Sequence, residues 1–145
     1  MHRLASDLCM KDMNMGSTTF SGPVTSTNGF IGTVTGNITG NVTGDLTGRV
    51  IGTVTTRSGA GAVPITAATV RLTTTGANAL TLANGANGQI LSIVMVTDGG
   101  DGTLTPTTKT GFTTITFNDV GDSVTLQYFT TLGWMILANN GCTVA

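Results

Sequence analysis

The sequence predicts an all-β protein made of an N-terminal β-repeat segment and a C-terminal antiparallel β-sandwich or jelly-roll-like domain. Three observations predict this fold class. The composition is rich in Thr and Gly, with 21 Gly, and contains no Glu, which favours strands joined by turns. A four-residue motif recurs through the first half of the chain. Short apolar segments separated by turn residues fill the second half.

The chain divides into three parts on these patterns: an arm at 1–19, a repeat segment at 20–62, and a β-sandwich domain at 63–145. The boundary between the last two is placed at the Gly- and Ala-rich stretch Arg57–Ala62, which is the one plausible hinge. Pro64 follows this stretch and would end any strand that preceded it.

The arm differs in composition from everything that follows. Leu4, Leu8 and Met13 are spaced to form one face of a short helix, and such a face is a candidate contact with a neighbouring protein. The alternative is a frayed start, with translation beginning at Met13 or Met15.

The repeat occupies residues 32–55 and reads Gly-x-aliphatic-Thr, with one lapse at Ile51. In an extended chain alternate residues face opposite sides, so one side carries Gly and an aliphatic residue in turn and the other carries polar residues. A helix is excluded because each glycine would cost about 1 kcal/mol. Collagen is excluded because its packing needs Gly at every third position. The segment would also make barely one coil of a single-chain β-solenoid.

The aliphatic side of the repeat must be shielded from water, and copies of the same chain packed around a common axis would shield it. Glycine between the aliphatic residues lets the backbones approach closely. Three chains around the axis would bury this face, but closed rings of other numbers would bury it too, so the pattern defines the inward face better than the number of chains. The alternative is that each Gly marks a turn and the segment folds as short hairpins. The side chains predicted to face the axis are Val34, Ile38, Val42, Leu46, Val50 and Val54.

The second half of the chain contains short candidate strands at intervals of about 8 to 12 residues, a spacing typical of antiparallel sandwiches and barrels. The candidates are Ala68–Thr73, Ala79–Leu82, Gln89–Val96, Gly102–Pro106, Thr113–Phe117, Ser123–Tyr128, Trp134–Ala138 and a short strand near Thr143. Ile90–Val96 is nearly continuous in apolar residues and is predicted to be the central strand, buried on both sides. The predicted core is Leu80, Leu82, Ile93, Met95, Ile115, Phe117, Val124, Leu126, Trp134, Ile136 and Leu137.

No arrangement of residues predicts catalysis, a cofactor or a metal, so the protein is not expected to be an enzyme. The single His2 lies in the arm, away from any nucleophile. The clustered carboxylates, at residues 98, 101, 119 and 122, lie in turns where Asp is expected for backbone reasons, and a Ca²⁺ site is the weaker interpretation. Trp134 is expected in the core, with an exposed sugar-stacking role as the alternative. Cys9 and Cys142 match no metal spacing and are expected to be free or buried thiols, with a disulfide between them as the alternative.

The charge and the hydropathy of the chain argue against two classes of partner, nucleic acid and membrane. The formal net charge is -1 and only 9% of the residues are charged, with no basic run to follow a phosphate backbone, so nucleic acid is not an expected partner. No apolar stretch approaches the roughly 18 residues that span a bilayer, so no membrane is expected either. The opening residues lack the apolar core of a secretory signal, which indicates synthesis in a cytoplasm.

Two stretches carry a resemblance to a known class of protein. Phe20–Gly48, with the wording GTVTGNITGNVTGDLTG, and Leu80–Gly141, with the wording TDGGDGTLTPTTKTGFTTITFNDVGDS, resemble structural proteins of tailed bacteriophages. The similar proteins are small virion proteins of the decoration, head-fibre or tail-fibre type. The Gly-Asn-Val-Thr motif occurs in many phage fibres, whereas the sequences at 98–102 and 114–123 are more specific. The arm does not take part in the resemblance.

The resemblance implies a homotrimer whose repeat is an intertwined β-structure and whose compact β-domain stands out from the particle. It implies a capsid decoration, or cement, protein that contacts the major capsid protein on the outer capsid surface of the virion, having been made in the host cytoplasm. Leu4, Leu8 and Met13 are then candidate capsid contacts. The alternative is a head-fibre or tail-fibre component that binds a receptor or glycan of the host surface. Neither class brings catalytic residues with it.

Overall fold

Ten β-strands and no helix make up the part of the chain that the computed structural model describes, residues 47–145. The all-β class predicted from the sequence is therefore confirmed. The strands are β1 (Val54–Ser58), β2 (Gly61–Ala62), β3 (Thr69–Thr73), β4 (Asn78–Leu82), β5 (Ile90–Thr97), β6 (Gly102–Pro106), β7 (Ile115–Phe117), β8 (Ser123–Phe129), β9 (Gly133–Asn140) and β10 (Thr143–Val144).

The strands form two sheets of five. The first sheet has the order β1-β3-β5-β8-β9. The second sheet has the order β2-β4-β6-β7-β10 when it is read from the edge strand β2. From β1 to β6 the chain crosses from one sheet to the other after every strand. Each pair of consecutive strands therefore makes one layer of the two stacked sheets. Strand β5 is the middle strand of the first sheet, as predicted, but it is not buried on both sides, because Ile90 is 52% exposed and Val94 is only half-buried.

Both sheets are mixed, which corrects the predicted antiparallel arrangement. In the first sheet β1 pairs with β3 and β3 with β5 in parallel, and in the second sheet β2 pairs with β4 and β4 with β6 in parallel. The strands from β7 onward pair antiparallel with their neighbours. The physical reason is the crossing: a strand that returns to its sheet by way of the other sheet runs in the same direction as the strand before it.

The strand positions agree with those predicted in the second half of the chain to within about two residues at most ends, the usual uncertainty of strand bounds. The start of the sheets is different. Strands β1 and β2 precede the expected boundary at residue 63 and pair with β3 and β4. The segment Arg57–Ala62, expected to be a hinge, thus contributes residues to both sheets.

One hydrophobic core lies between the sheets, because alternate residues of each strand point inward. Of the predicted core, the nine residues from Leu80 to Trp134 are buried, and Ile136 is partly buried against them. The core also contains residues that the prediction omitted: Val63, Val70, Leu72, Leu91, Leu104, Phe112, Tyr128 and Cys142.

Leu137 is the one predicted core residue that the core excludes; it is 54% exposed. Strands β8 and β9 change register at this point, so that Leu126 pairs with Ile136 and Thr125 pairs with Ala138. Leu137 is the extra residue of this β-bulge and has no partner in the ladder. A bulge turns a side chain out of the alternation on which the prediction depended.

Gly133, at the start of β9, is a position that only glycine fits. Its φ is +76°, in the left-handed region, and a Cβ there would collide with the backbone of Thr108 and lie 2.6 Å from the nitrogen of Lys109. Trp134 donates its backbone N–H to the Thr108 carbonyl at 2.9 Å. Glycine therefore lets the loop between β6 and β7 lie against the start of β9.

Candidate assembly surface

The end of the repeat exposes large apolar side chains. Val50 is 72% exposed, Ile51 is 76% exposed and Val54, the first residue of β1, is 61% exposed. Val50 and Val54 belong to the set predicted to face a trimer axis. The other members of that set, Val34, Ile38, Val42 and Leu46, lie outside the described residues, as do the candidate capsid contacts Leu4, Leu8 and Met13.

The pairing of β1 determines which way Val54 points. Thr55 pairs with Val70 and Arg57 pairs with Leu72, and both Val70 and Leu72 are fully buried in the core. Paired residues of neighbouring strands share a face of the sheet. Thr55 and Arg57 therefore lie on the core side of β1, and Val54 lies on the outer face of the first sheet.

Polar side chains close the core at the β1 layer. The Arg57 guanidinium extends toward β2, so that a Cβ on Gly61 would lie 2.5 Å from it. The Nε atom of Arg57 is buried, and no hydrogen-bond partner for it is found within residues 47–145. Met95 of β5, Leu72 of β3 and Arg57 of β1 are paired across the first sheet, so the row of buried aliphatic side chains on its core side ends at Arg57.

The outer face of the first sheet carries large apolar side chains among Ser and Thr, and Gln127 lies between Ile90 and Met135 on it. Ser92 and Thr125 mark this face, since their hydroxyls lie 3.1 Å apart across β5 and β8. Arg71 is the one charged residue on this face within the described part of the chain. The large apolar residues on the face are Val54 of β1, Ile90 and Val94 of β5, Phe129 of β8 and Met135 of β9.

The outer face of the second sheet is different in kind. It carries no charged residue in the strands described and no side chain larger than Thr. Neighbouring hydroxyls on β6 and β7, those of Thr103 and Thr116, lie 3.4 Å apart. The residues of this face are Ala62, Ala79, Thr81, Thr103, Thr105, Thr116 and Thr143. The two outer faces therefore differ sharply in the apolar area that they present.

Two of the clustered carboxylates, those of Asp98 and Asp122, accept hydrogen bonds from backbone N–H groups within turns. Asp98 accepts the backbone N–H of Gly100 at 2.8 Å. The buried Asp122 accepts the backbone N–H groups of Asn118 at 2.7 Å and of Asp119 at 3.1 Å. Within residues 47–145 no three His, Cys, Asp or Glu side chains come together as a metal-binding group. The backbone interpretation of these residues accounts for the contacts of Asp98 and Asp122.

Trp134 lies in the core, as expected, and does not offer a surface for sugar stacking. Its side chain is fully buried, and its indole N–H donates to the carbonyl of Ala83 at 2.8 Å. Its ring meets that of Tyr128 edge to face, with centroids 5.3 Å apart. Sequence reasoning placed Trp134 correctly because it lies in an apolar run with strand alternation.

Cys142 is a free, buried thiol. Burial of the thiol, together with the nearby negative charge of Asp122, raises its pKa from 9.0 to about 12. The protonated thiol therefore stabilises the fold fully below pH 9, and this contribution is lost as the pH rises toward about 12.

We expect Cys142 to resist thiol reagents in the native protein, because the thiolate is the reactive form. In a Cys9→Ser variant, reaction with Ellman's reagent at pH 8 should be far slower in buffer than in denaturing urea. Equal rates in the two conditions would show that Cys142 is accessible and ionised in the native state.

The comparisons with known proteins provide no relative. A scan against models of protein families and a search of curated proteins both found no match to this chain. The described residues contain no helix long and apolar enough to cross a membrane. The functional interpretation therefore rests on the residues and on the geometry of the surfaces described above.

Proposed function

We propose that this chain is a bacteriophage capsid decoration protein, a homotrimer that binds the outer capsid lattice and stabilises the shell. The observation that carries the proposal is the exposure of Val50 and Val54, 72% and 61%, at the end of a repeat whose aliphatic residues recur every fourth position. Exposed apolar residues in a regular row are typical of an interface. Sister subunits are the simplest cover, because each brings the same row.

The three parts of the chain have separate roles in this proposal. The repeat holds three chains together through Val34, Ile38, Val42, Leu46, Val50 and Val54. The arm contacts the major capsid protein through Leu4, Leu8 and Met13, and so bridges neighbouring capsomers against the pressure of the genome. The β-domain stands outward from the virion. No step of this function requires catalysis, a cofactor or a metal.

The described surface favours decoration over receptor binding. Receptor sites use exposed Tyr and Trp as anchors. Within residues 47–145, no aromatic side chain is exposed: four are buried and Phe129 is half-buried. The repeat is also short, because its roughly 24 residues span at most about 80 Å when extended, which leaves no long shaft. A fibre component that binds a host glycan is therefore the second candidate.

The number of copies per particle tests the proposal. In purified virions that carry this chain, we expect quantitative mass spectrometry to give a copy number of the same order as that of the major capsid protein. A lattice-binding protein must occupy sites that repeat with the lattice. A handful of copies per particle would contradict decoration and support the fibre alternative.

A further inference from the structure

We propose that Asn84-Gly85 is a site of spontaneous deamidation, at which the folded chain converts Asn84 to aspartate and isoaspartate without an enzyme. The site lies in the connection between β4 and β5. Asn84 is exposed to solvent and Gly85 is half-buried. The inference is independent of the proposed trimer, because it concerns the chemistry of two neighbouring residues of one chain.

The reaction needs only these two residues and water. The backbone nitrogen of Gly85 gives its proton to solvent base and forms a bond to Cγ of Asn84. The bond from Cγ to Nδ2 breaks, and the amide takes a proton from water and leaves as ammonia. Water then opens the succinimide ring at one of its two carbonyl carbons, which gives aspartate or isoaspartate. Glycine favours the attack, since it has no Cβ to crowd its nitrogen.

Three Asn-Gly pairs occur in residues 47–145, and their hydrogen bonds distinguish them. In the pair Asn87-Gly88 both reacting groups are held. The Oδ1 atom of Asn87 accepts the backbone N–H of Thr130 at 3.2 Å, and Gly88 donates its N–H to the carbonyl of Tyr128 at 2.8 Å. Both bonds must open before the ring can close, so this pair is protected by the fold.

The other two pairs are held less. At the end of β9 the side-chain amide of Asn140 donates to the carbonyl of Gly121 at 3.2 Å, so one reacting group of Asn140-Gly141 is engaged. For Asn84-Gly85, no hydrogen bond of the Asn84 side chain or of the Gly85 N–H is found within the part of the chain that the structure describes. Ring closure at this pair therefore breaks no hydrogen bond of the fold.

Isoaspartate at residue 84 would loosen the anchoring of Trp134. The residues on either side of Asn84 both contact this side chain. Ala83 accepts the indole N–H at 2.8 Å, and Gly85 lies so close that a Cβ on it would be 3.0 Å from the ring. Isoaspartate directs the backbone through the former side-chain carbonyl and adds one carbon between these two contacts. The connection must then shift against the indole ring.

The test follows deamidation of the full chain residue by residue. The protein is incubated in mildly alkaline buffer at physiological temperature and digested at acidic pH. Mass spectrometry of the fragment ions then assigns the mass gain to residue 84, 87 or 140. The same incubation in guanidinium chloride gives the rates of the unfolded chain, in which the three pairs should react alike.

We expect Asn84 to deamidate in the native protein at a rate close to its rate in denaturant. Native Asn87 should react about tenfold or more slowly than native Asn84, because two hydrogen bonds must open first. Asn140 should fall between them. A native rate for Asn84 no higher than that for Asn87, or strong protection of Asn84 relative to the unfolded chain, would overturn the inference.

Two variants separate the modification from its effect on Trp134. Asn84→Gln reacts far more slowly, because a six-membered ring would have to form, and should keep its Trp fluorescence and urea midpoint through the incubation. Asn84→Asp carries the charge of the product without the added backbone carbon and should resemble fresh wild type. Incubated wild type should show a lowered midpoint and altered emission from Trp134. If it instead behaves like Asn84→Asp, the coupling to Trp134 is wrong while the deamidation site stands.

Discussion

Val42→Asp is expected to disperse the trimer into single chains. The motif places Val42 on the side of the repeat that carries Val50 and Val54, two positions exposed at 72% and 61% in the single chain. The substitution would bring three carboxylates together in an apolar axis, where the desolvation of each costs several kcal/mol. A change of about 4 kcal/mol alters a dissociation constant about a thousandfold. Sedimentation at micromolar concentration should therefore give the mass of one chain.

Thr43→Asp is the matched control for this substitution. It introduces the same charge one residue further along the chain, where alternation directs the side chain to the solvent. Its sedimentation should match that of the wild type. If both variants remain trimeric, the aliphatic side of the repeat does not face the axis, and other residues hold the trimer together. If both dissociate, the assignment of the two sides is wrong.

The sequence allows the strands of the second half to be located because their signals are local. Turn residues such as Asn87-Gly88 and Gly121-Asp122 separate apolar runs, and the alternation within each run shows which side chains point inward. Leu80, Leu82, Ile115 and Phe117 could be assigned to the core on this basis alone, and they are buried.

The pairing of the strands could not be predicted in the same way. Whether two strands run parallel or antiparallel depends on which sheet each one enters, and the residues of a single strand do not indicate the sheet to which it belongs. The layers β1/β2, β3/β4 and β5/β6 arise because the chain changes sheet after each strand. Short connections between strands usually indicate antiparallel hairpins, and here they join strands of opposite sheets instead.

The start of the domain was difficult to predict for a related reason. Thr55 and Arg57 are polar; Thr55 ends the repeat, and Arg57 begins the stretch that reads as a linker rich in Gly and Ala. Both nevertheless lie on the core side of β1, beneath Val70 and Leu72. Polar residues fit there because β1 is the last strand of its sheet, so the interior at that layer is only half enclosed. The assembly surface is predictable in part: the motif indicates Val54, whereas Ile90 and Met135 share its face only once the register is known.

Trp134→Ala is expected to have the largest effect on the stability of the β-domain. Trp134 is fully buried between the sheets, donates a hydrogen bond to the Ala83 carbonyl and packs edge to face on Tyr128. Truncating a buried Trp to Ala costs about 3 to 5 kcal/mol, a large part of the roughly 5 to 15 kcal/mol by which a domain is stable. Urea denaturation followed by circular dichroism should show a greatly lowered midpoint. Circular dichroism is required because Trp134 is the only Trp in the chain.

Two further variants separate the contributions of packing and hydrogen bonding at this position. Trp134→Phe keeps an aromatic ring but leaves the Ala83 carbonyl without its donor, so the loss should be smaller, with about 1 to 3 kcal/mol from the unpaired group. Val120→Ala removes an apolar side chain that is 62% exposed and should change the midpoint little. All variants must be compared at one protein concentration, because the stability of an oligomer depends on it. A midpoint for Trp134→Ala close to that of Val120→Ala would mean that Trp134 does not lie in the core that joins the two sheets.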